Sequence, residues 1–324
     1  MIGTELMQGQ GLGNRLFCYI TARCVAADRN AVFGTAGQQY LKLDYMDLDL
    51  GARIDDPSLF ARYDEKEQRL YLKTSPHDMV HGCYVAGPDE GVKKIPDGTL
   101  LYGNLQAEEY FAGHRDEIRQ WLKVKEEYDS YEYTADDLCI LNMRGGEYAD
   151  DPALFLRKRY WTDAMQLMRK EHPGMRFMIV TDDTAAAGKM FPDLPAHHFT
   201  PEKDYVTVKN ARYLIMSNSS FAFFPAYTSN TLKRIIAPKY WARHNVSDGY
   251  WASAQNIYND FLYLGRDGKL YTPEECRKEL EDYRVPETSQ WAENSPEVDA
   301  VRKRNERRRL FTLGAMKIRR MLHV

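Results

Sequence analysis

Between Leu138 and Asp151 the chain reads Leu-Cys-Ile-Leu-Asn-Met-Arg-Gly-Gly-Glu-Tyr-Ala-Asp-Asp, an apolar run that stops at Arg144, two glycines and three carboxylates. An arginine at such a place suits a phosphate or carboxylate, because its planar fork matches those anions bidentately and stays charged. Ligands of open α/β sheets bind outside the carboxyl ends of the strands, which is where a strand ending at Arg144 would put it. On this stretch alone an equal reading is a buried strand closed by a polar turn, with Arg144 paired to Glu147. Glu147, Asp150 and Asp151 are the carboxylates beside it that can take up a proton.

Two further stretches carry polar groups in a useful pattern. Gln8-Gly9-Gln10-Gly11-Leu12-Gly13-Asn14 is a glycine-rich turn between a short strand and a helix. In that setting Gly11 and Gly13 let the backbone approach an anion, and the helix start supplies N–H groups. It is not a dinucleotide fingerprint, since position 16 is Leu16 rather than glycine, and it is not a Walker A loop. Asn218-Ser219-Ser220-Phe221 offers hydroxyls and turn N–H groups as a second phosphate cradle, although Ser219 or Ser220 alone would serve as a helix cap. Upstream, Asp204 has the right chemistry to accept from the N1–H and N2–H₂ edge of a guanine; taken alone it is a surface residue.

Other groups fall short of a site. Asp182-Asp183 lacks Asp-x-Asp spacing, and neighbours on a strand point to opposite faces, so Asp183 is expected to cap the helix that follows. His197 and His198 lack a visible partner and read as structural. No nucleophile elbow, zincin motif or Cys–His pairing with a third member is present, which disfavours covalent and metal hydrolysis, and no metal site is expected.

The elements that must hold these residues follow a βα rhythm. Residues 2–7 suggest a first strand, and 15–27 an amphipathic helix with Leu16, Ile20, Cys24 and Ala27 on one stripe and Phe17 alongside. Leu100 to Gly103 resumes as a strand, and a helix runs through Ile118, Trp121 and Leu122. The acidic, tyrosine-rich stretch 124–137 marks a domain junction. Beyond it come a strand at 138–143, a helix through Trp161 and Met168, strands at 176–181, 211–216 and 232–237, and intervening helices. Alternation at this spacing predicts parallel sheets covered by helices on both faces. The expected units are 1–125, 138–255 and an extension, 256–324; residues 38–98 read as short apolar pieces between turns.

Composition bounds the function. The chain has 324 residues, 44% hydrophobic and 28% charged, as in an ordinary globular protein. Residues 301–324 hold nine Lys/Arg against Glu306 alone, a net of +8, so the other 300 residues carry −11 of the overall −3. That excludes general nucleic-acid binding but leaves the tail suited to an anionic surface, with Leu310, Phe311, Met316, Ile318, Met321 and Leu322 between its basic clusters. The five cysteines are odd in number and lack metal-ligand spacing, and no signal peptide or membrane span is seen. A cytoplasmic protein, peripheral on the inner membrane face if the tail binds lipid, is expected.

Six ordered blocks resemble a known family: Gly11-Leu-Gly-Asn14-Arg-Leu-Phe17, Tyr102-Gly-Asn-Leu-Gln106-Ala-Glu-Glu-Tyr-Phe111, Asn142-Met-Arg144-Gly-Gly-Glu147-Tyr148, Thr181-Asp-Asp183, Asn218-Ser-Ser-Phe221 and Ile236-Ala-Pro-Lys-Tyr-Trp241. Their order over residues 9–241 is similar to that of the α-1,2-fucosyltransferases of glycosyltransferase family 11. The resemblance implies an α/β fold of the GT-B type, two Rossmann-like domains facing across a cleft. It also implies GDP-fucose as donor, inversion at the anomeric carbon, and transfer to a hydroxyl, galactose O2, of an oligosaccharide or lipid-linked glycan in polysaccharide biosynthesis. No cofactor or metal is implied.

Carried over by position, Arg144 is the donor β-phosphate clamp and Asn14 the loop amide beside sugar and phosphate. Asn218, Ser219, Ser220 and Phe221 form the nucleotide turn, and Asp204 is the guanine reader. Two positions depart from the family pattern, Asn142 for its histidine and Gly145 for its second arginine. They keep open a GT-B transferase with another nucleotide sugar; a non-catalytic glycan-binding protein on the same fold is the non-enzyme alternative.

Overall fold

The computed structural model describes residues 1–66, 88–150, 154–239, 242–243, 250–251, 256–283 and 296–321. Asp151, Trp241 and Leu322, named above, lie outside them, as does Cys83, one of the five cysteines. Two parallel sheets organise the chain.

The first sheet contains β1 (Ile2–Glu5), β2 (Phe33–Ala36), β3 (Ala52–Arg53), β4 (Ala61–Asp64) and β5 (Thr99–Tyr102), in the order β3-β2-β1-β5-β4 with every pairing parallel. The chain runs from β1 outward to β3, then returns to the other side. The crevice of this sheet therefore opens between the carboxyl ends of β1 and β5. The glycine-rich loop follows β1, and Gly103 to Gln106 follows β5.

Helix α1 (Leu12–Asp28) starts three residues earlier than the stripe predicts, so Gly13 and Asn14 form its first turn. The expected stripe holds at Leu16, Ile20 and Cys24, but Ala27 is exposed, and Tyr19, Thr21, Ala22 and Val25 are buried as well. A helix buried most of the way round has neighbours on more than one side. Phe17 shows why: its ring stacks on Phe223 at 4.8 Å and tilts against Phe224 at 4.8 Å, both from the second half of the chain. After β5 comes the short α2 (Arg115–Trp121).

The second sheet contains β6 (Leu138–Met143), β7 (Arg176–Thr181), β8 (Ala196–His197), β9 (Tyr213–Met216), β10 (Arg234–Pro238), β13 (Leu262–Leu264) and β14 (Leu270–Tyr271). Its order is β14-β13-β10-β9-β6-β7-β8, parallel except for the β13–β14 pair. β6 and β7 span the residues that their apolar runs predict, and all six β6 residues are buried, as a central parallel strand requires. Its helices are α3 (Lys158–Glu171), α4 (Thr184–Met190), α5 (Pro201–Lys209) and α6 (Phe223–Thr228). The boundary expected at 255 falls inside this sheet, because β13 pairs with β10. A separate two-stranded ladder joins β11 (Ala242–Arg243) and β12 (Tyr250–Trp251).

At the end of the chain α7 (Pro273–Tyr283) is followed by α8 (Pro296–Met321), 26 residues and about 39 Å at 1.5 Å per residue. Leu310, Phe311, Ile318 and Met321 are all exposed on α8. Among the described residues no helix is long and apolar enough to cross a membrane. Cys18, Cys24, Cys139 and Cys276 are free and buried.

Candidate active site

In the second sheet the chain adds β7 and β8 on one side of β6, then crosses over and adds β9, β10 and β13 on the other side, all parallel, so its crevice opens between the carboxyl ends of β6 and β9. Arg144 follows β6, and Ser217 to Phe221 follows β9. The Ser217 N–H donates to the Asn142 carbonyl at 2.9 Å, which ties the two strand ends together.

Gly13, at the start of α1, lies directly against the same turn. A Cβ added to it would meet the Ser220 carbonyl carbon at 2.3 Å, its oxygen at 2.4 Å and the Phe221 nitrogen at 2.6 Å. Only a residue without a side chain allows this approach, which is the physical content of the glycine in that block. The two loops read separately as anion cradles therefore form one wall. Gly11 caps α1 without a side-chain bond. Asn14 is held by an amide relay: its Oδ1 accepts from Gln106 Nε2 at 3.2 Å, and Gln106 Oε1 accepts from Asn256 Nδ2 at 2.8 Å. With Oδ1 engaged, the donor end of the Asn14 amide is the one turned away from the relay. Gln106 and Asn256 had no role in the sequence reading; an amide that bridges two loops leaves no local pattern.

Arg144 donates from Nη2 to Glu147 Oε1 at 2.8 Å and pairs through Nη1 with Asp182 Oδ2 at 2.5 Å. The polar-turn reading thus describes its contacts in this structure, and the clamp reading describes its place at the crevice. Burial works against the Arg144 charge, but the Glu147 hydrogen bond and the Asp182 charge outweigh it and hold the guanidinium above its ordinary pKa. The same hydrogen bond holds the Glu147 carboxyl below its ordinary value, so Glu147 is a weakened base. Asp150 is exposed in the turn that follows.

The aspartate pair divides as strand geometry predicts. Asp183 Oδ1 accepts from Ala186 N–H at 2.8 Å and caps α4, while Asp182 serves Arg144 and also accepts from Gly145 N–H at 2.7 Å. The register Met143↔Thr181 sets Asp182 beside Arg144. This packing accounts for Gly145: a Cβ there would stand 2.4 Å from Asp183 Cβ, so no arginine fits. Gly146, at φ +47°, completes the turn in the left-handed region. Asn142 is buried within β6.

In the β9 turn, Ser219 Oγ accepts from Phe221 N–H at 3.3 Å, the capping contact. Asn218 Nδ2 donates to the Leu154 carbonyl at 2.9 Å, while Asn218 Oδ1 and Ser217 Oγ are buried without a protein partner among the described residues. Ser220 and Phe221 are partly exposed. Asp204 differs from expectation. It sits in the first turns of α5, buried, and both oxygens are engaged within the chain: Oδ1 by Phe199 N–H at 3.0 Å and Oδ2 by His198 Nδ1 at 2.9 Å. Burial pushes its carboxyl up, against the lowering pull of the Phe199 N–H and His198. The group nearer solvent at this point is His198.

No protein-family profile matches the chain. An α-1,2-colitosyltransferase of Escherichia coli is 24% identical over 271 residues, 71% of this chain and 89% of that protein. That similarity agrees with the ordered sequence blocks. Among solved structures, POFUT1 in complex with GDP aligns at a TM-score of 0.43 and 8% identity, covering 72% of this chain and 97% of that one. NodZ α-1,6-fucosyltransferase soaked with GDP-fucose aligns at 0.39 and 12%, covering 73% and 94%.

Proposed function

We propose that this protein is an inverting glycosyltransferase that moves L-fucose from GDP-fucose to a hydroxyl of a glycan acceptor, without a required metal. The observation that carries the proposal is the meeting of Gly13 with Ser220 at the crevice where Arg144 stands. Two strand-end loops and one fixed cation converge there, the chemistry a nucleotide diphosphate needs.

In the proposed step the bond between the sugar C1 and the β-phosphate oxygen breaks ahead of nucleophilic attack. Negative charge grows on the leaving diphosphate. Arg144 and the N–H groups of α1 and the Ser219–Phe221 turn stabilise that charge, as oxyanion-hole donors do. The acceptor hydroxyl adds to the opposite face and gives up its proton to Asp150, directly or through water. Glu147 and Asp182 are the carboxylates paired with Arg144, and Asp150 is the exposed carboxylate at the end of the same turn. Glu147, already held by the arginine, suits the task of aiming the guanidinium better than that of removing a proton. Asn14, fixed by Gln106, directs its amide N–H at the sugar or phosphate.

A second reading keeps the mechanism and changes the donor sugar. The Escherichia coli relative is named for colitosyl transfer, and Asn142 and Gly145 alter the pocket beside Arg144. Thermal shifts with GDP, UDP and CMP test the nucleotide: stabilisation by GDP alone is expected, and a shift with UDP but not GDP overturns the donor. Transfer of labelled fucose across an array of glycans, with linkage analysis of the product, then tests the reaction, and the absence of any transfer or donor hydrolysis overturns it. Added EDTA is expected to leave the rate unchanged.

A further inference from the structure

The carboxyl end of β8 carries a pair that the transfer step leaves unused. β8 lies at the edge of the second sheet and pairs with β7 so that His197 stands beside Val180. His198 therefore adjoins Thr181, in the row of strand ends that also carries Arg144 and Asp182. Two strand spacings place its backbone roughly 10 Å from that of β6. A nucleotide whose diphosphate sits at the β6–β9 crevice and which runs toward the β8 edge brings its base, not its phosphates, to this point.

The chemistry of the pair is specific. A carboxylate only accepts, so the hydrogen between Asp204 Oδ2 and His198 Nδ1, 2.9 Å apart, belongs to the imidazole. That contact assigns the neutral ring its Nδ1–H tautomer and leaves Nε2, across the ring, as an acceptor. Asp204 is 9% exposed in its side chain and His198 50%, so the held end of the ring is inside and the accepting end faces outward. Phe199 N–H fixes the second carboxylate oxygen, which keeps Asp204 in place. An outward-facing acceptor repels phosphate oxygens and suits an N–H donor.

We propose that His198 reads the donor's nucleobase: its Nε2 accepts the ring N–H of the base, N1–H in guanine, and Asp204 is the positioning residue that sets the tautomer. The inference rests on the reading of this protein as a nucleotide-sugar transferase. It also makes a distinction among bases, since guanine and uracil offer a ring N–H at this edge and cytosine offers a bare acceptor nitrogen.

Calorimetric titration of the full chain with GDP and CDP tests it. Wild type is expected to prefer GDP. His198→Ala should weaken GDP roughly tenfold, the scale of one lost hydrogen bond, and leave CDP unchanged. Asp204→Asn places an amide opposite Nδ1 that can donate to it, which moves the ring hydrogen to Nε2. This variant should lose GDP and gain CDP, an inversion that loosened packing would not give. Circular dichroism and a thermal melt check its fold, and if it fails to fold, the exposed His198→Ala carries the test. Unchanged GDP-to-CDP ratios in both folded variants, or an equal loss of both nucleotides in His198→Ala, overturn the proposal. A wild type that binds UDP and not GDP overturns the guanine donor instead, and the same variants read with UDP and CDP then judge the dyad.

Discussion

Arg144 is the residue on which the proposed chemistry turns, and its surroundings say how its loss should look. It pairs with Glu147, which is 71% exposed and solvent-screened, and with Asp182, which is 26% exposed, so removing it costs a modest amount of stability, chiefly at Asp182. Its main effect belongs in the rate: Arg144→Ala should lower kcat by about 10²–10³, the scale of one lost charge-stabilising donor, with a melt lowered only slightly. Full turnover in that variant would refute the clamp. Glu147→Gln should cost less than about tenfold, because a carboxyl held low by its arginine is a poor base. The pH dependence has a definite sign. A carboxyl depressed in the folded state contributes stability that is present above its ordinary value of 4.5 and is lost as pH falls through the lowered one. Melts of wild type and Glu147→Gln should therefore differ by a small constant at neutral pH and converge only in acid. Gly145→Arg, which restores the family's second arginine, should lower the melting temperature without raising activity, since the Asp183 side chain occupies the space.

At the scale of elements, the contact of α1 with the β9 turn holds the site together. Gly13→Ala drives a methyl into the Ser220 backbone, a strain of about 1–3 kcal/mol that backbone movement must relieve. Weaker GDP binding together with a lower melting temperature is the expected result, and an unshifted melt would show that the contact is loose. What the sequence disclosed at this scale follows from period and length. β6 and β7 were legible residue by residue because a central parallel strand is apolar throughout. Asp183 was legible as a cap because capping is local. The second face of α1 was not legible, since Phe17 meets Phe223 and Phe224 from the far half of the chain and Tyr19 meets Phe33 and Asp49, contacts that helical period does not announce. β13 and β14 were missed for a similar reason: two or three residues have no period, and only pairing, β13 with β10 and β14 with β13, makes them strands. At the site, the residue types Arg144, Asn14 and Ser219 could be named from their blocks. The partners Asp182, Gln106, Asn256 and His198 required register and three-dimensional proximity.

For the whole molecule the charge division is the leading feature. The tail at 301–324 carries +8 against −11 elsewhere, and α8 exposes Leu310, Phe311, Ile318 and Met321. Leu310, Ile318 and Met321 fall within about a quarter-turn of one another at 100° per residue, and Phe311 borders them. We propose that α8 lies on an anionic bilayer with this stripe buried, each nearby Lys or Arg adding about 1 kcal/mol. Co-sedimentation with vesicles rich in anionic lipid should retain the full chain at low salt and release it at high salt, and a chain ending at 295 should stay in solution; equal retention of both would remove the idea. The two sheets also share one hydrophobic core, in which Leu101 and Phe17 belong to the same cluster as Ile140, Leu214 and Phe223. Phe17, wedged between the halves, acts as a rivet. A protein riveted in this way is expected to melt in a single transition, and among the described residues this contact opposes hinge opening of the cleft. Under the proposed transfer, the timing of each turnover would then pass to the loops around the cleft, which would admit the donor and let the spent nucleotide go.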